Sequence, residues 1–263
     1  MFLQTQVAQP AVQPETVFSI GNLPVTNAML MSGVVTLLLL FVSLKIKRTT
    51  KLSPSKFQTV VEIIVDAFVG LLESITGNKK AAMQILPLIG ALFIYIAFGN
   101  LIALIPGVGA LSYDGVPLFR TATNDFNLTF SIALAMVVYI NYASLKQFGV
   151  FGHLGKFFKF KGVYLGFKKG IGEGVLSIVD FLIGLLDIVS EIAKVISLSL
   201  RLFGNMYAGD VLAVILLGAL SVAVPAPWLA MNLLVGLLQA LVFGSLTAAY
   251  YALAVEQAEA QEA

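Results

Sequence analysis

The sequence predicts an all-α polytopic membrane protein. Three observations predict it. The chain is 59% hydrophobic and only 11% charged, where soluble domains hold about 45–50% apolar and about 25% charged residues. Its apolar residues gather into long uncharged runs, and its basic residues gather into two segments between those runs. So few charges cannot clothe a soluble surface, which excludes a soluble enzyme and a disordered chain. Cysteine is absent, which removes disulfides, thiolate nucleophiles, Cys-zinc sites and iron–sulfur clusters. His153 is the lone histidine, too few to build a histidine metal site, so neither a metal nor a cofactor is expected. A net charge of +2 gives no reason to expect nucleic acid as a partner.

The elements follow in order, given that a bilayer-crossing helix needs about 20 mostly apolar residues. Residues 1–26 carry no positive charge and no early apolar core, so they read as an outer segment and not as a cleavable signal. Asn27–Leu44 is the first span, stopped by Lys45, Lys47 and Arg48. Residues 55–76, SKFQTVVEIIVDAFVGLLESIT, alternate charged and apolar positions at helical spacing. They read as an amphipathic helix lying in the inner interface. Ala81–Ile105 is the second span, ending at Pro106-Gly107, and Phe126–Leu145 the third, ending at Lys146. Residues 146–172 are rich in Gly, Phe and Lys and read as a loop. Residues 173–224 are apolar but charged, and 228–255 form a last uncharged run before the acidic tail of Glu256, Glu259 and Glu262. No internal repeat is visible, and the whole chain reads as one membrane domain.

Orientation follows from the positive-inside rule. Lys45, Lys47, Arg48, Lys51, Lys56, Lys79 and Lys80 mark one cytoplasmic segment, and Lys146, Lys156, Lys159, Lys161, Lys168 and Lys169 the other. The N-terminus is then outside and the C-terminus inside. Pro225, Pro227 and Trp228 form an outer turn, with Trp228 as an interfacial anchor. With no transit peptide, the expected location is a bacterial cell membrane.

Most chemical information sits in residues 173–224. Intramembrane charges are costly, about 2.5–3.5 kcal/mol each on insertion scales, and they mark ion or proton paths. Asp187, Lys194 and Arg201 are spaced i, i+7, i+14 and form one slightly drifting stripe, with Ser197 and Asn205 close to it. Asp210 is nine residues past Arg201 and faces the other way. A 52-residue helix would be roughly 78 Å long, so it must tilt, bend or break. Arg201 is the central residue, because a guanidinium keeps its proton where a buried lysine can lose it. Its bland explanation is an ion pair with Asp187 or Asp210, yet neither is three or four residues away. Lys194 differs: Glu191 is three residues before it, and a structural pair is the simpler account. In the last run Asn232 and Gln239 are also seven apart and share a face. Alone they read as interhelical glue; opposite Arg201, Asn205 and Asp210 they read as walls of a wet path.

The segment SLSLRLFGNMYAGD (197–210) resembles the R-L-F-G-N-M-x-A-G-[ED] motif of subunit a of F-type ATP synthases, the stationary partner of a rotating c-ring. FGNLIALIPG (98–107), with Asn100 and Pro106, resembles the family's second span. TATNDFNLT (121–129) resembles the opening of its third, and LLQALVF (237–243) its last helix. The similarity runs from about residue 55 to 255.

The resemblance implies an N-terminal transmembrane helix, an interfacial helix, a hairpin of two spans, and two long tilted helices at 173–222 and 226–255. It implies two offset aqueous half-channels, with Arg201 as the essential charge facing the c-ring carboxylates. Asn205 and Gln239 match polar residues near it, and Asp210 an acidic position of the outer half-channel. Asn232 stands where some members have histidine; asparagine cannot carry a proton, so a relay there would run through water or Asp210. Asp187 matches an acidic position of the inner half-channel, with Lys194 and Ser197 near it. The implied partners are the c-ring, peripheral-stalk b subunits, the remaining synthase subunits and membrane lipids. The chain holds no GxxxxGK[ST] loop, so it is no enzyme on its own and ATP chemistry lies elsewhere. The competing account is a self-contained secondary transporter or channel, with Asp180, Asp187, Glu191 and Arg201 lining its site. The missing repeat and about five spans speak against it.

Overall fold

The structure is a computed structural model. It describes residues 11–262 except 52–53, 106–107, 109–110, 114, 158–167, 169–170 and 220–224. The start of the outer segment, the stop at Pro106-Gly107, much of the 146–172 loop and the turn before Pro225 lie outside the described residues.

The described chain is helical apart from two small ribbons. Strands β1 (Thr16–Ile20) and β2 (Leu23–Thr26) form an antiparallel hairpin. Helices α1 (Asn27–Thr49), α2 (Lys56–Thr76) and α3 (Lys79–Ala103) follow. A two-residue ribbon, β3 (Ser112–Tyr113) with β4 (Val116–Pro117), and a 3₁₀ turn at Ala122–Asn124 lead into α4 (Phe126–Phe157). Two long helices, α5 (Ile171–Ala219) and α6 (Pro225–Glu262), complete the fold. Among the described residues, four helical stretches are long and apolar enough to cross a bilayer: Asn27–Arg48, Lys79–Ala103, Phe126–Lys146 and Pro227–Ala254. The protein is thus a multi-pass, all-α membrane protein. α5 is set apart by its charges and its length, about 74 Å for 49 residues. A hydrocarbon core of about 30 Å cannot contain it upright.

Local chemistry sets the helix ends. Thr26 caps α1, its hydroxyl accepting from the Met29 N–H at 3.3 Å, and Lys47 and Arg48 complement the carbonyl end. Ser55 caps α2 through the Gln58 N–H at 3.3 Å. α2 is amphipathic: Leu72 is buried, while Phe57, Val60, Ile63 and Ile64 are exposed.

Two differences from the sequence reading concern helix ends and strands. Both ribbons lie in segments that carry no strand-length alternation of apolar residues. α4 continues past Lys146 to Phe157, into the stretch read as loop, with a non-helical break at Gly149 (φ 73°, ψ 170°). Hydropathy ends at Lys146, but a helix needs no lipid to continue.

The core lies where α3, α4, α5 and α6 meet. Ile96, Ala97, Met136, Val137, Leu198, Leu202, Ala240 and Phe243 are buried together there. A second cluster, Leu72, Ala82, Ile85, Ile89, Ile140, Ala248 and Tyr251, docks α2 beside α3, α4 and α6. α1 is attached more lightly, by Met31 and Val35 against Ala122 of the 3₁₀ turn. Most large apolar side chains of α1, among them Leu37, Leu40 and Phe41, face outward, as expected of a helix bathed in lipid.

Inside this apolar frame runs one buried polar chain. The Thr123 hydroxyl donates to Asn100 Oδ1 at 2.5 Å, and Asn100 Nδ2 donates to the Gly236 carbonyl at 3.3 Å. All three groups come from different elements: the 3₁₀ turn, α3 and α6. Gly236 permits the approach, since a Cβ there would lie 3.1 Å from the Asn100 Cβ. Replacing Asn100 by Leu strands the Thr123 hydroxyl in an apolar site. A buried polar group left unpaired costs about 1–3 kcal/mol. The Asn100→Leu complex in detergent should therefore melt several degrees below wild type by differential scanning fluorimetry. Wild-type melting would show that the chain is not needed to hold α3 to α6.

Candidate functional site

The polar side chains of α5 sort by face. Ser197, Arg201 and Asn205 recur every four residues and share one side of the helix. Ser197 and Asn205 are exposed and Arg201 half-buried, on a helix whose outer surface includes exposed Leu186, Val189, Ile196 and Leu200. Arg201 Nη2 donates to the Ser197 hydroxyl at a long 3.5 Å. Among the described residues neither Asp187 nor Asp210 is within ion-pair distance of Arg201, so the bland pairing account fails in this fold. The charge faces away from the protein interior on an otherwise greasy surface.

Asn205 joins the two long helices. Its Nδ2 donates to Gln239 Oε1 on α6 at 2.7 Å. Gln239 is buried, and its own Nε2 has no partner among the described residues. One turn toward the C-terminus of α5 the helices come closer still. Asn232 is buried against Gly209, where any Cβ would overlap its side-chain oxygen. Trp228 Nε1 donates to the Gly209 carbonyl at 3.3 Å, which ties the start of α6 to the same place. The pair Asn232 and Gln239, grouped from spacing alone, thus lies along one α5–α6 seam.

Asp210 is on the other side of α5. Its Oδ2 accepts from Asn124 Nδ2 at 2.5 Å, which fastens α5 to the 3₁₀ turn. It also lines a cavity of about 440 Å³ together with Glu15, Asn27, Arg120 and Thr121. Of these, the sequence reading singled out Asp210 alone. Glu15 and Arg120 were passed over because each is isolated in a loop. A signal was nevertheless present: Arg120 is the only basic residue between Lys80 and Lys146.

The inner stripe divides. Lys194 Nζ is 2.7 Å from Glu191 Oε1 and 5.1 Å from the centre of the Tyr250 ring on α6. Glu191 Oε2 also accepts from Asn141 Nδ2 of α4 at 3.2 Å. Lys194 therefore sits in a network that joins α4, α5 and α6, as the i, i+3 spacing suggested. Asp187 is half-buried one heptad earlier, and Asp180 is exposed. Among the described residues no cluster of three His, Asp or Glu side chains could hold a metal ion.

A charged, polar-seamed helix hairpin packed on membrane spans defines a class: membrane proteins that move ions along protein interfaces. The family is shown by comparison. Residues 28–252 match the family model described as ATP synthase A chain, and the chain belongs to that family. ATP synthase subunit a of Desulforamulus reducens is 35% identical over 86% of this chain and 76% of its own length. The subunit of Moorella thermoacetica is 29% identical over 92% of this chain and 96% of its own. That of Helicobacter pylori is 30% identical over 91% and 96%.

If Lys194 is structural, it and Glu191 should be coupled energetically. A double-mutant cycle of Lys194→Met and Glu191→Gln, read as thermal stability of the assembled complex, should give a coupling of about 0.5–3 kcal/mol. Additive effects would show that Lys194 does something other than hold Glu191.

Proposed function

We propose that this chain is the stationary, proton-conducting partner of a rotating c-ring in the membrane sector of an F-type ATP synthase. The Ser197–Arg201–Asn205 face of α5 meets the ring. The Asp210 cavity is the outer half-channel, and the Asp187 end of α5 borders the inner one. The chain lies in a bacterial cell membrane with its N-terminus outside, beside peripheral-stalk b subunits. The observation that carries this reading is the separation of the two charges. Arg201 is outward-facing and has no carboxylate partner among the described residues, while Asp210 is turned to the opposite side and opens into a cavity.

The mechanism follows from electrostatics. A ring carboxyl facing lipid is neutral, because burial disfavours the charged form. Opposite Arg201 the carboxylate is favoured, so the group releases its proton toward the inner path. Past Arg201 it takes a proton from the outer path, delivered by way of Asp210, and turns neutral again. A fixed guanidinium between the paths also repels any proton crossing directly. One charge falling through 100 mV yields about 2.3 kcal/mol, so one ATP needs several and rotation pools them. The Asn205–Gln239 bond keeps the α5–α6 seam closed beside Arg201, and Asn232, which cannot itself titrate, narrows it further.

Arg201→Ala should abolish proton-driven ATP synthesis in vesicles while the complex still assembles. Arg201→Lys should lose most of it, since a desolvated ammonium can shed its proton. Near-normal synthesis by Arg201→Ala would overturn the mechanism.

Asp187 tests the inner path separately. A carboxylate there holds water and attracts departing protons. Asp187→Asn should lower proton flux modestly and Asp187→Leu severely, because an apolar plug raises the cost of a passing charge. The chain has no native cysteine, so Asp187→Cys gives a clean probe. It should react with silver ion applied from the cytoplasmic side of the assembled complex. Failure to react would remove Asp187 from the inner path.

A further inference from the structure

The outer cavity holds a charge that the mechanism above does not use. Arg120 lines it opposite Asp210, in the loop between β4 and the 3₁₀ turn. Its Nη1 donates to the Gln13 carbonyl at 3.0 Å, which fastens the segment before β1, whose Ala11 and Glu15 line the cavity. Its Nη2 is buried and has no hydrogen-bond partner among the described residues. Glu15, from the same N-terminal segment, adds a carboxylate to the lining, and its backbone carbonyl accepts from the Asn27 N–H at 3.0 Å. That segment is thus held at Gln13 and at Glu15, and the cavity lining has Glu15 from it and Arg120 from the loop, one charge of each sign besides Asp210.

We propose that Arg120 is a positioning residue of the outer proton path: it fastens the N-terminal segment to the cavity wall and supplies the fixed positive charge that sets the pH at which Asp210 takes up a proton. The proposal rests on the reading of this cavity as the outer half-channel. Few other charges compete. Glu15 is the other titratable group in the lining besides Asp210 itself. Asp125 is turned aside, its Oδ1 accepting from the Asn127 N–H at 2.9 Å and lining a separate cavity with Ser32. Near Asp210, α4 and α6 bring no charged residue, and α1 brings none before Lys45. A fixed cation favours the ionised form of a carboxylate that shares its cavity, and an anion disfavours it. Arg120 and Glu15 therefore push in opposite directions.

The test is passive proton flux through the assembled membrane sector in vesicles, at fixed voltage, with the outer pH varied. Flux rises as protonation from outside rises, so it has a half-maximal pH. Arg120→Gln should move that pH up by about one unit. Arg120→Lys, which keeps the charge, should restore it, whatever it does to maximal flux. Glu15→Gln should move it down. A purely structural Arg120 would change maximal flux or assembly and leave the half-maximal pH alone, or would shift it equally in Gln and Lys variants; either result overturns the proposal. Should Arg120→Gln fail to assemble, the exposed Glu15 still decides, since an unmoved midpoint in Glu15→Gln removes the charge-setting role. Asp210→Asn separates the two levels. Wild-type pH dependence there overturns the outer-path reading and this proposal with it. Altered flux in Asp210→Asn with an unmoved Arg120→Gln midpoint overturns this proposal alone.

Discussion

The arrangement depends on three residues of 3₁₀ turn. Ala122 packs on α1, the Thr123 hydroxyl reaches Asn100 and through it α6, and Asn124 holds Asp210 of α5. Ala122, Thr123 and Asn124 are all buried. In an apolar surrounding each of these polar groups must find a partner or lose several kcal/mol. The turn therefore has little freedom: the Thr123 hydroxyl and the Asn124 amide N–H are both used in this one placement of α3 and α5. A site built this way is rigid without a large apolar core around it, and it fixes Asp210 relative to Arg201 through the stiffness of a single helix.

That stiffness explains why one helix carries both charges. Nine residues of α helix separate Arg201 from Asp210 and turn the two side chains to different sides. No loop could hold two opposite charges apart so reliably. The close seam with α6 adds to it. Gly209 lets Asn232 fill the gap between α5 and α6, and Gly236 lets Asn100 of α3 do the same against α6, so small residues and amides add to the apolar packing.

The class of fold was legible from hydropathy, because lipid forces every spanning segment to be helical and long. Residues 197–210 exposed the chemistry on α5, since charge in an apolar run stands out whatever its neighbours are. The Glu191–Lys194 pair could be read because it is local to one helical turn. What could not be read was contact between distant segments. Asn124 meeting Asp210 spans 86 residues, and Asn100 meeting Gly236 spans 136. Neither asparagine differs from ordinary turn or glue residues in sequence. Arg120 and Glu15 were hidden for the same reason. Each is a single charge in a polar loop, and only the fold brings them to one cavity with Asp210.

Arg201 is a charge that the described residues leave unmatched. Most of its polar and charged neighbours are matched inside the chain: Lys194 by Glu191, Asn205 by Gln239, Asp210 by Asn124. Arg201 has only a long bond to a serine hydroxyl. A guanidinium at membrane depth cannot neutralise itself by losing a proton, so the cost of about 2.5–3.5 kcal/mol stays unless an anion arrives from outside the chain. Under the proposed function that anion is the ring carboxylate. The interaction cannot become too strong, or the ring would stall on a permanent salt bridge. A single half-buried arginine, held loosely by Ser197 and with no second cation beside it among the described residues, gives an attraction that an incoming proton can cancel. Under that reading the weak internal bonding of Arg201 is the condition for turnover, and the Lys194–Glu191, Asn205–Gln239 and Asp210–Asn124 pairs hold the helix that carries it.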